Sequence, residues 1–237
     1  MGTVARKVAI ITGASRGVGE GLVAGYRRLG YGVVATSRSI KESQDLDVVT
    51  VRGDIADPAT ARRVIRAGLD RFGRIDALVN NGGAIAAKSF TEYTSAEFEA
   101  VTSVNLNGFL RLTQLTVKQM LTYGGGHVVQ IISSPSSHAS WDVSSVLASL
   151  ARGGLQSATK ALAGEFACKG IRSNAVALGV IRNPMRPEAY NQTLAAMHPL
   201  GRLGEIDDIV DAVLYLENAS FVTGATLHVD GGQSAGH

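Results

Sequence analysis

A short apolar run, a glycine-rich turn and a helical pattern follow one another at the start of this chain, and few folds use that order. Val8-Ala9-Ile10-Ile11 has the β-rich, unbroken apolar character of a strand buried on both faces. Thr12-Gly13-Ala14-Ser15-Arg16-Gly17-Val18-Gly19 comes next, and apolar residues at helical spacing continue through Leu29. A strand that hands over to a helix through such a turn is built to hold a pyrophosphate. Gly13 permits the tight turn, Gly17 lets backbone approach the phosphates, and Gly19 lets the helix pack closely on the sheet. The helix N-terminus then offers free N–H groups and a positive dipole end to the anion. A glycine triplet alone marks only a turn; its place after a strand and before a helix makes it a nucleotide signal.

The rest of the chain repeats the alternation. Val33-Val34-Ala35-Thr36 and Val48-Val49-Thr50-Val51 are expected as the second and third strands, and Ala77-Leu78-Val79 as the fourth. Strands are also expected from His127 to Ile132, Ser173 to Ala177 and Thr226 to Val229. Between them lie helical patterns from Pro58 to Phe72 with Asp57 as N-cap, about Ser95 to Tyr123, Ser145 to Lys169, and Ile206 to Glu217. Gly124-Gly125-Gly126 nearly forces a turn, and the polar, proline-marked stretch from Asn183 to Gly204 is expected to be irregular. Strands alternating with longer helices imply a parallel sheet covered by helices. The expectation is one α/β domain over 1–237, a Rossmann-type doubly wound fold with a mainly parallel seven-stranded sheet, and no repeat or linker divides it.

Composition narrows the class. With 237 residues and 45% hydrophobic content, the chain can bury a full core. A net charge of +3 without a Lys/Arg run argues against a nucleic-acid partner, and Arg62-Arg63 with Arg66 and Arg71 fall on one solvated helical face. Cys168 is the single cysteine, so no intrachain disulfide forms, and a reducing compartment is expected. No apolar stretch approaches the roughly 18 residues of a membrane span, and no signal-peptide pattern opens the chain. A cytoplasmic protein without a membrane or metal role is the expectation.

The end of the second strand discriminates between dinucleotides. An acid there accepts hydrogen bonds from the ribose hydroxyls and repels a 2′-phosphate. This chain has Ser37-Arg38 instead, with Arg16 inside the glycine turn. The planar guanidinium fork suits phosphate, so NADP(H) is the expected cofactor.

Together with this turn, Asn80-Asn81-Gly82-Gly83 and Asn105 stand at spacings that resemble the short-chain dehydrogenase/reductase family, and the resemblance covers residues 6 to 233. It implies that Asp54, with Ile55, contacts the adenine, and that Asn81, Gly82 and Gly83 border the adenosine ribose. Gly179-Val180-Ile181 matches the segment whose backbone meets the nicotinamide carboxamide, with Asn183 where the family has threonine and Leu178 where it has proline. A small-molecule substrate and a homotetramer or dimer are implied as well. The family's carbonyl chemistry uses four residues: a tyrosine acid, a lysine that tunes it and holds the nicotinamide ribose, a serine on the substrate oxygen, and an asparagine supporting a water relay. Asn105 and Ser134 match the last two.

The tyrosine is missing. No tyrosine occurs between Tyr123 and Tyr190. One register pairs Lys160 with Gln156 at the tyrosine position, 22 residues after Ser134; the other places Ala148 at tyrosine and Arg152 at lysine, 14 residues after it. The second aligns the family pattern without a gap through Gly179, and makes Lys160 an exposed helix residue. Arg152 can hold ribose hydroxyls and stabilise negative charge, but its pKa above about 12 makes it a poor proton donor. His138 is the best substitute acid by position, with Tyr190 and His198 in the stretch resembling the family's substrate lid, and Trp141 able to stack on a planar substrate. Three outcomes remain open: another group gives the proton, the substrate needs none (an iminium ion or conjugated alkene), or the fold binds nucleotide without redox turnover as a cyclase, isomerase or sensing module.

Overall fold

The structure, a computed structural model, describes residues 6–84, 88–133, 146–183 and 188–235. Seven strands form one sheet in the order β3-β2-β1-β4-β5-β6-β7, and every neighbouring pair is parallel. The strands are β1 (Val8–Thr12), β2 (Gly32–Ser37), β3 (Val48–Arg52), β4 (Ala77–Asn80), β5 (Gly126–Ser133), β6 (Ile171–Leu178) and β7 (Thr226–Val229). The chain winds outward from β1 to β3, returns to β4 beside β1, and continues to β7. That reversal opens a crevice at the carboxyl ends of β1 and β4, the place where such sheets bind ligands.

Helices cover both faces because the central strands are apolar on both sides. On one face, α1 (Gly17–Arg28) and α7 (Ile206–Asn218) bury Leu22, Tyr26, Ile209 and Val213 against Ile11, Val33 and Val79. Gly21 and Gly25 let α1 lie close to α7: a β-carbon at either would fall within 2.8 Å of Ile206 or Val210 side-chain atoms. On the other face, α2 (Pro58–Phe72) and α4 (Gly108–Tyr123) pack Val64, Ile65, Leu112 and Met120 against Val8, Ile10, Val34 and Leu78. Asp57 caps α2 by accepting from Ala59 N at 2.9 Å, with Pro58 opening the helix and Gly73 closing it at φ 78°. The long α5 (Val146–Phe166) covers β5 and β6 with Leu155.

Two expected elements differ. The helix read from Ser95 to Tyr123 is interrupted: α3 (Ser95–Thr102), capped reciprocally by Thr94 and Glu97, passes into a π-helical turn at Ser103–Asn107 before α4 begins. The wider turn accommodates an extra residue, a local geometry that hydrophobic periodicity does not encode. The stretch expected to be irregular from Asn183 to Gly204 contains α6 (Glu188–Ala195). Its proline content masked this two-turn helix. The expected strands, by contrast, are present, β5 and β6 being longer at both ends than the apolar runs suggested. Among the described residues, no helix is long and apolar enough to cross a membrane.

Candidate active site

Two adjoining cavities lie along the carboxyl ends of β1, β2, β4 and β5. The first, of about 350 Å³, brings together Gly13, Ser15, Arg16, Arg38, Asp54, Ile55, Asn81, Gly82 and Gly83 of the residues expected to bind cofactor. The turn is held by close backbone packing. Thr12 Oγ1 accepts from Asn81 N at 3.0 Å and Gly82 N at 2.8 Å, and Asn81 Nδ2 donates to Thr12 O at 3.0 Å, so the ends of β1 and β4 are knitted together. Gly17 stands at φ 58° with nothing near its missing β-carbon, so conformation is what demands glycine there. Gly19 is required by close approach rather than by its conformation. Its β-carbon would fall 2.1 Å from Gly13 O and 2.8 Å from Asn81 Nδ2, so the helix start packs against the turn and the end of β4. Val18 is not part of the cavity wall; it packs under the turn on the α1 face.

Arg16 and Arg38 are exposed at the outer end, among Ser15, Ser37 and Ser39. Arg52 Nε donates to Arg38 O at 3.0 Å and braces that backbone. Two guanidinium groups and three hydroxyls, with no carboxylate at the end of β2, make a donor-rich rim that fits a phosphate on the adenosine ribose. Asp54 lies across the cavity, turned by its own bond from Ala56 N at 2.9 Å. The cradle of missing β-carbons and the arginine rim therefore fit NADP(H).

The second cavity, of about 210 Å³, shares the Asn81–Ala84 wall with the first. Asn105 stands there because the π turn presents it to the β4 loop: its Oδ1 accepts from Ala84 N and its Nδ2 donates to Ala84 O, both at 2.8 Å. The side chain is thus a two-pronged clasp on backbone, a positioning duty the sequence did not reveal. Ala148, Ala151 and Leu155 of α5 line the opposite wall at helical spacing. Gln156 turns away to donate to Thr226 Oγ1 at 3.4 Å, and Lys160 is exposed. Of the two registers, this geometry brings Ala148 to the cavity and leaves Gln156 and Lys160 outside it. Arg152 follows one turn later in α5; its side chain, like that of Tyr190 in α6, is outside what the structure describes.

Ser134, His138 and Trp141 lie outside the described residues. Ser133, at the end of β5, lines the second cavity, as does its β6 partner Leu178. The sequence pointed past it, although the strand's extension to Ser133 was the available signal. Gln130 also lines this cavity and was missed, since a lone polar residue in a strand carries no mark of its partners. Gly179, Ile181 and Asn183 are not on either cavity wall. Val180 N donates to His198 Nε2 at 3.0 Å, while His198 Nδ1 faces Leu194 O at 3.1 Å. Gly179 is needed beneath it, because a β-carbon would sit 2.8 Å from His198 Nε2. His198, 3% exposed, bridges α6 and the segment after β6.

A family model described as enoyl-(acyl carrier protein) reductase matches residues 13–234. The 3-oxoacyl-[acyl-carrier-protein] reductase FabG of Thermotoga maritima is 32% identical over 241 residues, covering 95% of this chain and 97% of that protein. The 3alpha-hydroxysteroid dehydrogenase of Mediterraneibacter gnavus is 36% identical over 242 residues, covering 95% and 96%. The chain belongs to the short-chain dehydrogenase/reductase family. Among solved structures, a gluconate 5-dehydrogenase from Burkholderia cenocepacia in complex with NADP and tartrate superposes with a TM-score of 0.87 at 27% identity, covering 98% of this chain and 96% of that one. ElxO with NADP bound gives 0.89 at 26% identity, covering 98% and 100%. The cofactor expected from Arg16 and Arg38 is the one held by both of these neighbours. In this short-chain dehydrogenase/reductase, the position four residues before Arg152 is an alanine on the cavity wall.

Proposed function

We propose that the chain is an NADP-dependent reductase that delivers hydride to a small or medium-sized apolar carbonyl, imine or activated alkene without a tyrosine acid. The observation that carries this reading is the shared Asn81–Ala84 wall: the arginine rim and the apolar second cavity are two ends of one trough. When bound, NADPH supplies the hydride. Arg16 and Arg38 hold its phosphate end, and the glycine turn holds its pyrophosphate. Asn105 fixes the loop at Ala84 and so the floor between the two cavities. Ser133 or Ser134 offers a hydroxyl to the substrate, while Ala148, Ala151 and Leu155 exclude water from the reacting carbon. Arg152 stabilises developing negative charge without donating its proton. His138 remains the nearest candidate acid in sequence, and a large loss of turnover in His138→Ala with intact cofactor binding would give it that role.

The direct test incubates the protein with 4-deuterated NADPH and a panel of ketones, cyclic imines and enones. Deuterium in a product supports the reading. Product formed without cofactor oxidation would replace it with a non-redox activity. The reading includes self-association into a tetramer or dimer, supported by Leu110 of α4 and Leu150 of α5, each 60% exposed. Light scattering at micromolar protein checks it, and a monomer would remove it.

A further inference from the structure

The wall of the second cavity holds one polar group that has no duty in the fold. Gln130 lies two residues before Ile132 in β5, so both side chains share the strand face that Leu155 of α5 covers. Gln130 is 4% exposed, and its Oε1 is sealed from the cavity without a hydrogen-bond partner. The Nε2 group is the end of the amide that reaches the cavity, and among the described residues no hydrogen bond engages it. The reverse orientation would bury two unpartnered N–H donors in place of one oxygen. The neighbouring amides are committed. Asn81 Nδ2 donates to Thr12 O at 3.0 Å and Gly13 O at 3.4 Å, and Asn105 Nδ2 donates to Ala84 O at 2.8 Å. Gln130 therefore presents an open, neutral donor beside Ile131, Ile132, Ala148, Ala151 and Leu155. None of the described residues lining this cavity carries a carboxyl, imidazole, thiol, phenol or ammonium group.

We propose, resting on the reductase reading above, that the substrate is an α,β-unsaturated ketone and that the Gln130 amide N–H donates to its carbonyl oxygen. Hydride adds to the β-carbon and forms a C–H bond there. The alkene π pair moves into the bond between the α-carbon and the carbonyl carbon, and the carbonyl π pair moves onto oxygen. That step yields an enolate and the oxidised cofactor. Solvent water then protonates the α-carbon, which releases hydroxide and restores the ketone. An amide N–H stabilises an oxyanion without surrendering its proton, which suits a wall that lacks an acid. An enolate shares its charge between oxygen and carbon, so it is a weaker base than the alkoxide formed from a simple ketone. A hydrogen bond is enough to hold it, whereas the alkoxide needs a proton as it forms, and position 148 here is alanine.

The experiment compares cyclohexenone with cyclohexanone, using 4-deuterated NADPH, on the wild-type protein and Gln130→Met. Methionine keeps the length of the side chain and removes the donor. Wild type should place deuterium on the β-carbon of the enone with kcat/KM roughly tenfold or more above that for the ketone, which goes without its acid. Gln130→Met should lower kcat for the enone about 10²–10³-fold, the usual worth of one oxyanion donor, with NADPH affinity unchanged. A second readout needs no turnover. Followed by its absorbance, 4-nitrophenolate, a planar oxyanion, should bind wild type about 10-fold to 100-fold more tightly than the variant. Gln130→Leu takes the variant's place if methionine does not pack. Unchanged enone turnover or equal phenolate affinity in the variant would overturn the assignment and leave the reductase reading standing. Reduction of cyclohexanone with the enone refused would do the same. No deuterium in any product of the ketones, imines and enones would overturn both.

Discussion

The two ends of the sheet are built on opposite terms. At the amino ends of the strands, Glu217 of α7 accepts from Tyr31 Oη at 2.8 Å, Tyr26 Oη at 3.0 Å and His127 Nδ1 at 2.9 Å. His127 Nε2 then meets Asn174 Nδ2 at 3.0 Å, and Arg172 donates to the carbonyls of Leu216, Glu217, Ala219 and Val222. At the carboxyl ends there are short glycine contacts, open cavities and an amide oxygen with no partner. One end closes its side chains into a buried network; the other braces backbone with Thr12, Asn81 and Asn105 and leaves Arg16 and Arg38 exposed on the rim of an open cavity. Stability and function are therefore separable, and substitutions should divide the same way.

The largest expected effect is on the closed end. Glu217→Leu leaves three buried donors without an acceptor, and breaking such a network typically costs about 3–5 kcal/mol. Chemical denaturation should register that loss, while the folded fraction should bind NADPH with unaltered affinity. A comparable loss of affinity would break the separation of the two ends. Next comes the open end. Arg38→Asp places a carboxylate against the phosphate rim, and NADPH affinity should fall about 10-fold to 100-fold, as expected for losing one charge-assisted contact. The variant's Tm should stay within a degree or two of wild type, and its preference should move toward NADH. Tighter NADH binding by the wild type would contradict the cofactor assignment.

A smaller effect sharpens the comparison through pH. Burial pushes the His127 pKa below its ordinary value, against the pull of Glu217. Burial also opposes the Glu217 carboxylate, but the donors His127, Tyr31 and Tyr26 outweigh it and hold that pKa below the usual glutamate range. Both folded-state values are depressed, so both groups contribute stability above their unfolded pKa and lose it as pH falls. The His127 loss starts near its unfolded value of about 6.5, with a slope of up to about 1.4 kcal/mol per pH unit, and the Glu217 loss follows below about 4.5. His127→Gln should flatten the upper part of that decline in urea titrations between pH 7 and 5. An identical slope in the variant would place the acid sensitivity elsewhere.

How far the sequence carried these conclusions follows the same division. The strand–glycine–helix order, the Asp57-Pro58 start of α2 and the arginine at the end of β2 are local signals; the first two fold as read, and Arg38 lines the first cavity. The π turn at Ser103–Asn107 was not legible, because an inserted residue leaves the apolar pattern on both sides intact. The atoms that crowd Gly19 were not legible either, being a carbonyl six residues back and the side chain of Asn81 from another strand's end. Gln130 and His198 escaped for a common reason. Whether a buried polar atom is satisfied depends on partners from distant segments, and no spacing rule specifies those partners. His198 found Val180 and Leu194; the Gln130 oxygen found nothing.

The most direct test of a reductase without a tyrosine acid is to restore one. Ala148 is 5% exposed in the first turn of α5 on the wall of the second cavity, and Arg152 is one turn beyond. The double variant Ala148→Tyr with Arg152→Lys should raise kcat/KM for cyclohexanone by about 10²–10⁴, the usual worth of a placed general acid. Ala148→Tyr alone should gain less. A double variant that folds, binds NADPH as wild type does and shows no gain on cyclohexanone would contradict the assignment of Ala148 as the vacated acid position.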